Sequence, residues 1–192
     1  MSKGTTVSDV LETLSEASGE DRVSVGDVMD EFGRRAYGPI IFLIGAVSLS
    51  PVGAIPGASI LFGVMVVLLM GQYLLKDNGP WLPGWVERAS VSADKADKVV
   101  EKVKPYAEKL ERYLKPRAEW VLDAPWTYLI AIVCIIHAAT MFPLALVPWG
   151  VMPPSAALAV FGLGIMSRDG AFIIAGFVIS VLSFGFAVWM LL

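Results

Sequence analysis

The chain has 192 residues, of which 56% are hydrophobic and only 17% charged, with a net charge of −3. The 33 charged residues are segregated: 12 lie in 1–37 and 19 in 76–124, leaving only Arg168 and Asp169 elsewhere. One Cys excludes a disulfide scaffold, the acidic balance (pI about 5.2) excludes a nucleic-acid binder, and a mean hydropathy of +0.66 excludes a disordered chain.

The first 37 residues are polar and acidic and carry no secretory, Tat or lipidation pattern, which predicts an uncleaved multi-pass protein of a bacterial inner (plasma) membrane. Within this N-terminal cytoplasmic or interfacial segment, 1–37, Val7, Val10, Leu11 and Leu14 recur at helical spacing. Val25, Val28, Met29 and Phe32 do so again after Gly19-Glu20-Asp21. Two short helices are expected over 5–36. Tyr37, Tyr73, Trp81, Trp85, Trp120, Trp126, Tyr128 and Trp189 flank apolar runs, as interfacial aromatics do.

The first membrane segment, 38–75, reads as a broken hairpin. Thirteen residues from Gly38 to Ser50 precede Pro51, Gly53, Pro56 and Gly57, and 18 more follow from Ala58 to Leu75. A full span takes about 20 helical residues. Proline removes an amide donor, so the break at 50–59 requires burial in protein or a wet cavity. The polar segment 76–124 follows, an amphipathic helical linker from Ser92 to Leu122 with Lys104-Pro105 and Lys115-Pro116 eleven residues apart. Ten of the fifteen basic residues lie in this linker and four in the N-terminal segment. The positive-inside rule puts both in the cytoplasm and the C-terminus outside; an inverted arrangement of the halves is the alternative.

The second membrane segment, 125–170, repeats the device with a break at 142–155 carrying Pro143, Pro148, Pro153 and Pro154. Pro51 and Pro56 match Pro143 and Pro148 at an offset of 92, and Ser59 and Met70 match Ser155 and Met166 at 96. These matches predict a duplication. Residues 171–192 form an uncharged C-terminal transmembrane helix. The expected fold is thus an all-α integral membrane protein of two pseudo-repeats, each a Pro/Gly-broken, re-entrant-like helical hairpin, with an amphipathic linker between them.

Paired broken helices point to a transporter-like site near the middle of the membrane. Ser48, Ser50, Ser59, Thr140 and Ser155 surround the breaks; with unpaired amides they suit an anion or a sugar hydroxyl, and equally they suit simple helix capping. His137 is the lone histidine, at helical spacing from Cys134, and an ionisable group at this depth is a candidate ligand-binding residue. Its bland role is a neutral imidazole hydrogen-bonded to a carbonyl of a neighbouring helix. Arg34, Arg35 and Arg168 are either membrane-flanking anchors, with Arg168 and Asp169 an interfacial ion pair, or guanidinium partners for a phosphate. No metal set, cofactor motif or catalytic constellation is recognisable, and membrane-embedded carboxylates are missing from 38–75 and 124–167. No enzyme activity is expected.

Glu31-Phe32-Gly33-Arg34-Arg35-Ala36-Tyr37-Gly38, Ile55-Pro56-Gly57-Ala58-Ser59, Gln72, Pro80-Trp81-Leu82-Pro83 and Ser167-Arg168-Asp169-Gly170 occur in that order. Together they resemble the ExoD exopolysaccharide-synthesis family over about residues 7–190. The chain departs at Ser48-Leu49-Ser50-Pro51 and Val52-Gly53-Ala54, where a more proline-rich approach is the family pattern. The resemblance implies an inner-membrane protein linked to exopolysaccharide production and carries over no catalytic residue. Two readings follow: a small transporter-like protein for an anionic or hydroxylated solute, or a non-catalytic subunit of a polysaccharide synthesis or export complex. Membrane lipids, that machinery and a second copy of the chain are the expected partners; nucleic acid is not.

Overall fold

The structure is a computed structural model and describes residues 22–24, 36–75, 80–81, 84, 90–92, 117–123, 125–147 and 149–191. Among the described residues, five helices form the bundle: α1 (Tyr37–Ser48), α2 (Pro56–Leu75), α3 (Trp126–Leu144), α4 (Met152–Ser167) and α5 (Gly170–Leu191). Among the described residues, β-structure is confined to β1 (Arg22–Ser24) paired antiparallel with β2 (Ser90–Ser92). Three helices, α2, α3 and α5, are long and apolar enough to cross a membrane, whereas α1 and α4 have 12 and 16 residues. At 1.5 Å per residue those two reach roughly 18 Å and 24 Å, short of a bilayer core.

The helices run alternately up and down between two ends. At one end the rings of Tyr37 and Tyr73 meet edge-on, with centroids 5.0 Å apart, setting the start of α1 beside the end of α2. Met166, near the end of α4, backs onto Gly38 at the same level. The start of α5 lies there too, since the Gly170 amide donates to the Arg117 carbonyl at 2.7 Å. At the other end α1 and α3 stop and α2 and α4 begin.

The tightest seam is α1 against α4, antiparallel and backbone to backbone. A Cβ on Gly38 would lie 2.6 Å from the Met166 amide, one on Gly45 2.5 Å from that of Ala159, and one on Gly162 would collide with the Phe42 backbone. Between membrane helices there is little hydrophobic drive, so close van der Waals approach through small residues supplies the attraction. α2 packs on α3 in the same manner, with Gly63 against the Ala138 carbonyl. The buried core of Tyr37, Ile41, Leu69, Met70, Ile130, Met141, Leu158 and Phe161 fills the space between these pairs.

Several sequence expectations change. Pro143 does not break its helix: it is the penultimate residue of α3, and the ladder runs past it through Ala145 N–H to Met141 O at 2.9 Å. Pro56 and Pro153 lie in the first turns of α2 and α4, where a missing amide costs nothing, so they start helices. Gly57 is the second residue of α2, and Pro51 opens a 3-10 turn, Pro51–Ala54. The breaks therefore shrink to 49–55 and 145–151, and two of the four arms, α2 and α3, have 20 and 19 residues. The linker is not helical at its margins: Ser92 is in β2, Ala118 has a left-handed φ of 50°, and Glu119–Leu122 is a 3-10 turn. Arg34, Arg35, Pro148, the remainder of the expected N-terminal helices and linker residues 93–116 lie outside the described residues.

The seam yields a test. Gly162→Val should lower the stability of the purified protein in detergent by about 1–3 kcal/mol, the usual cost of forcing carbon into a filled site. Gly71→Ala, where nothing lies within 4 Å, should leave it unchanged or slightly raised. Thermal unfolding of both variants checks the contrast.

Candidate functional site

The two breaks, far apart in sequence, meet in space. Ser48, Ser50 and Gly53 from the first and Ala145, Val147, Trp149, Val151 and Met152 from the second line one cavity of about 10 Å³. That is room for a single water or hydroxyl. The meeting place is the end of the bundle where α2 begins and α3 stops, each about 30 Å long. It is not half-way along, as the broken-helix pattern predicts, because Pro56 and Pro143 extend α2 and α3 instead of cutting them.

The local chemistry follows from where each donor goes. The amides of Leu49, Ser50, Gly53, Gly150, Met152 and Ser155 all donate to carbonyls within the same turns. Pro51, Pro153 and Pro154 have no amide to give. The Ser50 hydroxyl donates to the Val47 carbonyl at 2.6 Å and that of Ser155 to Val151 at 2.7 Å. Ser59 does the same to Ile55 at 3.2 Å, and Thr140 to His137 at 2.8 Å. These four hydroxyls thus serve their own helices, and only Ser50 of them lines the cavity. Ser59 and Ser155 do share a local device, each being the fourth residue of its helix and bonded to the residue just before it.

The hydroxyl that matters is Ser48, the last residue of α1. It is 2% exposed, lines the cavity, and its Oγ has no hydrogen-bond partner among the described residues. A Cβ on Gly53 would strike the Ser48 carbonyl, and one on Gly150 would sit 2.7 Å from the Leu144 carbonyl, so both turns need glycine to close this tightly. Among the described residues, no charged side chain lines the cavity. With so many amides spent or missing, the junction presents oxygen lone pairs more than N–H groups. Such a lining suits an uncharged O–H group and disfavours an anion.

His137 is not part of this junction. It is fully buried near the midpoint of α3, with Nε2 2.7 Å from Ser180 Oγ and its ring stacked on Phe184 at 4.3 Å. Ser180 spends its own proton on the Gly176 carbonyl at 2.8 Å, which assigns the imidazole proton to Nε2. Cys134 is buried beside it as an apolar filler. Among the described residues no group of three or more His, Cys, Asp or Glu side chains could hold a metal ion.

Arg168 lies at the opposite end of the bundle from the junction. It closes α4 in a left-handed conformation, φ 55°, with its amide on the Gly164 carbonyl. Its sequence neighbour Asp169 pairs with the linker: Arg117 Nη2 is 3.3 Å from Asp169 Oδ2. Oδ1 accepts the Ala171 amide at 3.0 Å, capping α5. Arg117 is 53% exposed while Asp169 is fully buried. Nearby, the carboxamide of Gln72 both donates to and accepts from the Trp81 backbone, at 2.8 Å and 2.7 Å, where the linker leaves α2. Sequence reasoning passed over Arg117 and Ser180 as partners and paired Asp169 with Arg168. The Asp-Gly step before an apolar run was the available signal for the cap.

A bundle of apolar helices joined back to back through glycines, with interfacial aromatics at its ends, is that of a membrane protein. The family model for exopolysaccharide synthesis, ExoD, matches residues 7–189, and the chain belongs to that family. It is 27% identical to Protein ExoD of Rhizobium meliloti over 173 residues, covering 89% of this chain and 71% of the relative. It is also 25% identical to an uncharacterized protein of Synechocystis over 168 residues, covering 85% and 77%. No solved structure matches. Membership associates the chain with exopolysaccharide synthesis.

Removing the carboxylate should hurt more than removing its partner. Asp169→Ala leaves α5 uncapped and should cost about 1–3 kcal/mol. Arg117→Ala removes one end of a half-exposed pair and should cost at most about 1 kcal/mol. Chemical unfolding in detergent ranks the two.

Proposed function

We propose that this chain serves exopolysaccharide production by binding an uncharged, hydroxylated group at the junction of its two interrupted hairpins, in the manner of a small transporter-like membrane protein. The observation that carries the proposal is the convergence of both breaks on the unpaired, buried Ser48 hydroxyl. The spent amides narrow the ligand from "anionic or hydroxylated" to hydroxylated. In this reading the hairpins are a duplicated unit in the inner membrane. The basic linker holds the Arg117–Asp169 end in the cytoplasm, and the junction faces the other side.

A second reading has one observation in its favour. Gly57 and Gly71 on α2 have nothing within 4 Å among the described residues, and Leu61, Val64 and Leu68 between them are exposed on the same face. That face suits the close approach of another helix, from a second copy or from a subunit of a synthase or exporter. Here the chain would be a non-catalytic membrane subunit.

Equilibrium binding in nanodiscs separates these readings, using neutral oligosaccharides released from the host's own exopolysaccharide and glucose 1-phosphate as the anionic counterpart. Neutral sugar should bind better than the phosphate. Ser48→Ala should weaken it roughly tenfold, the value of one buried hydrogen bond of about 1.4 kcal/mol. Ser59→Ala and Ser155→Ala should leave affinity unchanged. A protein that binds and moves no sugar in liposomes, yet co-purifies with a synthase until Gly71→Leu, establishes the subunit reading instead.

A further inference from the structure

We infer that the rim of the junction is a saccharide platform: the indole of Trp149 stacks on the C–H face of a sugar ring while one hydroxyl of that ring enters the cavity at Ser48. The inference rests on the hydroxyl-site reading and adds to it the ligand class and the residue that recognises it. The cavity of about 10 Å³ takes a hydroxyl and nothing larger, so the body of any ligand lies outside, on the rim. Trp149 forms that rim. It lines the cavity, yet 65% of its surface stays exposed.

Its placement is fixed by the backbone. Trp149 has φ 64°, a left-handed conformation disfavoured for any residue with a Cβ. The turn that imposes it is closed on both sides, by Gly150 N–H to Val147 O at 2.9 Å and Met152 N–H to Trp149 O at 3.0 Å. Disfavoured backbone held by its surroundings tends to mark a functional position. Trp120 and Trp126 pack edge-on at 5.4 Å, and Trp189 lies against Phe186 at 6.2 Å. Trp149 has no aromatic ring against it among the described residues.

The chemistry matches a sugar. The C–H groups on a pyranose face carry partial positive charge and attract the negative face of an indole, while the hydroxyls around the ring edge seek oxygen acceptors. The junction offers both around one cavity, and among the described residues no charged side chain lines it to favour an ionic ligand. Its position at the ends of α2 and α3 sets it near the headgroup layer. Two sources of sugar are available there, the head of a glycolipid and a residue of a soluble polysaccharide.

The full chain labelled with 5-fluorotryptophan in nanodiscs provides the test, its six tryptophans giving six fluorine resonances. The resonance lost in Trp149→Leu is that of Trp149. The probes are cellotetraose in solution and monoglucosyl diacylglycerol in the bilayer. A saturable shift of the Trp149 resonance with either probe, together with an affinity by isothermal titration that falls fivefold or more in Trp149→Leu and less in Trp149→Phe, supports the platform. A response to the glycolipid alone identifies a lipid-linked sugar, and one to cellotetraose alone a polymer chain. Unsaturable drift of all the interfacial tryptophan resonances together overturns the platform and leaves Trp149 a headgroup anchor. Binding that survives Trp149→Leu but fails in Ser48→Ala also overturns it while the hydroxyl site stands. If the wild type binds neither probe, the platform is overturned.

Discussion

Everything in this bundle hangs on the contact between α1 and α4. Neither helix is long enough to cross a bilayer by itself, and neither carries a charge that would hold it in place. What holds them is backbone lying on backbone, with Gly38 and Gly45 of one helix and Gly162 of the other removing the side chains that would keep them apart. In lipid such packing replaces the hydrophobic drive that a soluble core would use. Because the pair is antiparallel, fixing it also brings the end of α1 to the beginning of α4. The site is a consequence of that register.

At the junction the prolines work by subtraction. An interrupted helix in an apolar setting leaves amides and carbonyls that must find partners. Prolines at 51, 153 and 154 delete donors at the very positions where a helix start would expose them, and the amides of Leu49, Ser50, Gly53, Gly150 and Met152 close short turns. The serine hydroxyls beside them then feed their protons to carbonyls of the preceding turn. What is left is a small, uncharged pocket with one hydroxyl uncommitted. This is a different balance from the anion sites that helix starts usually make, where free N–H groups and the dipole do the attracting.

The other end of the bundle is built on opposite terms. There a buried carboxylate, an arginine from the linker, a side-chain cap and a backbone bond to Gly170 tie the linker's return to the joint between α4 and α5. A buried charge is tolerable only with such company. Polar clamping at one end and small-residue closure at the other leave the middle to apolar packing. At mid-depth the hydrogen bond of His137 with Ser180 joins α3 to α5.

Composition and charge segregation were enough, without coordinates, to establish a membrane protein, and the ordered motifs from Glu31 to Gly170 were enough for the family. Those properties depend on transfer of side chains between solvents and on local residue order, which a linear chain records directly. Helix limits at Pro56, Pro143 and Pro153 were misread because a proline has opposite effects in a first turn, a last turn and an interior. Which serine would remain unpaired, which arginine would reach Asp169, and that Trp149 would stand at a cavity's rim were decided only by tertiary structure. Each depends on the register of α1 against α4 or on the return path of the linker. Such distances between residues remote in the chain leave no periodic trace in it.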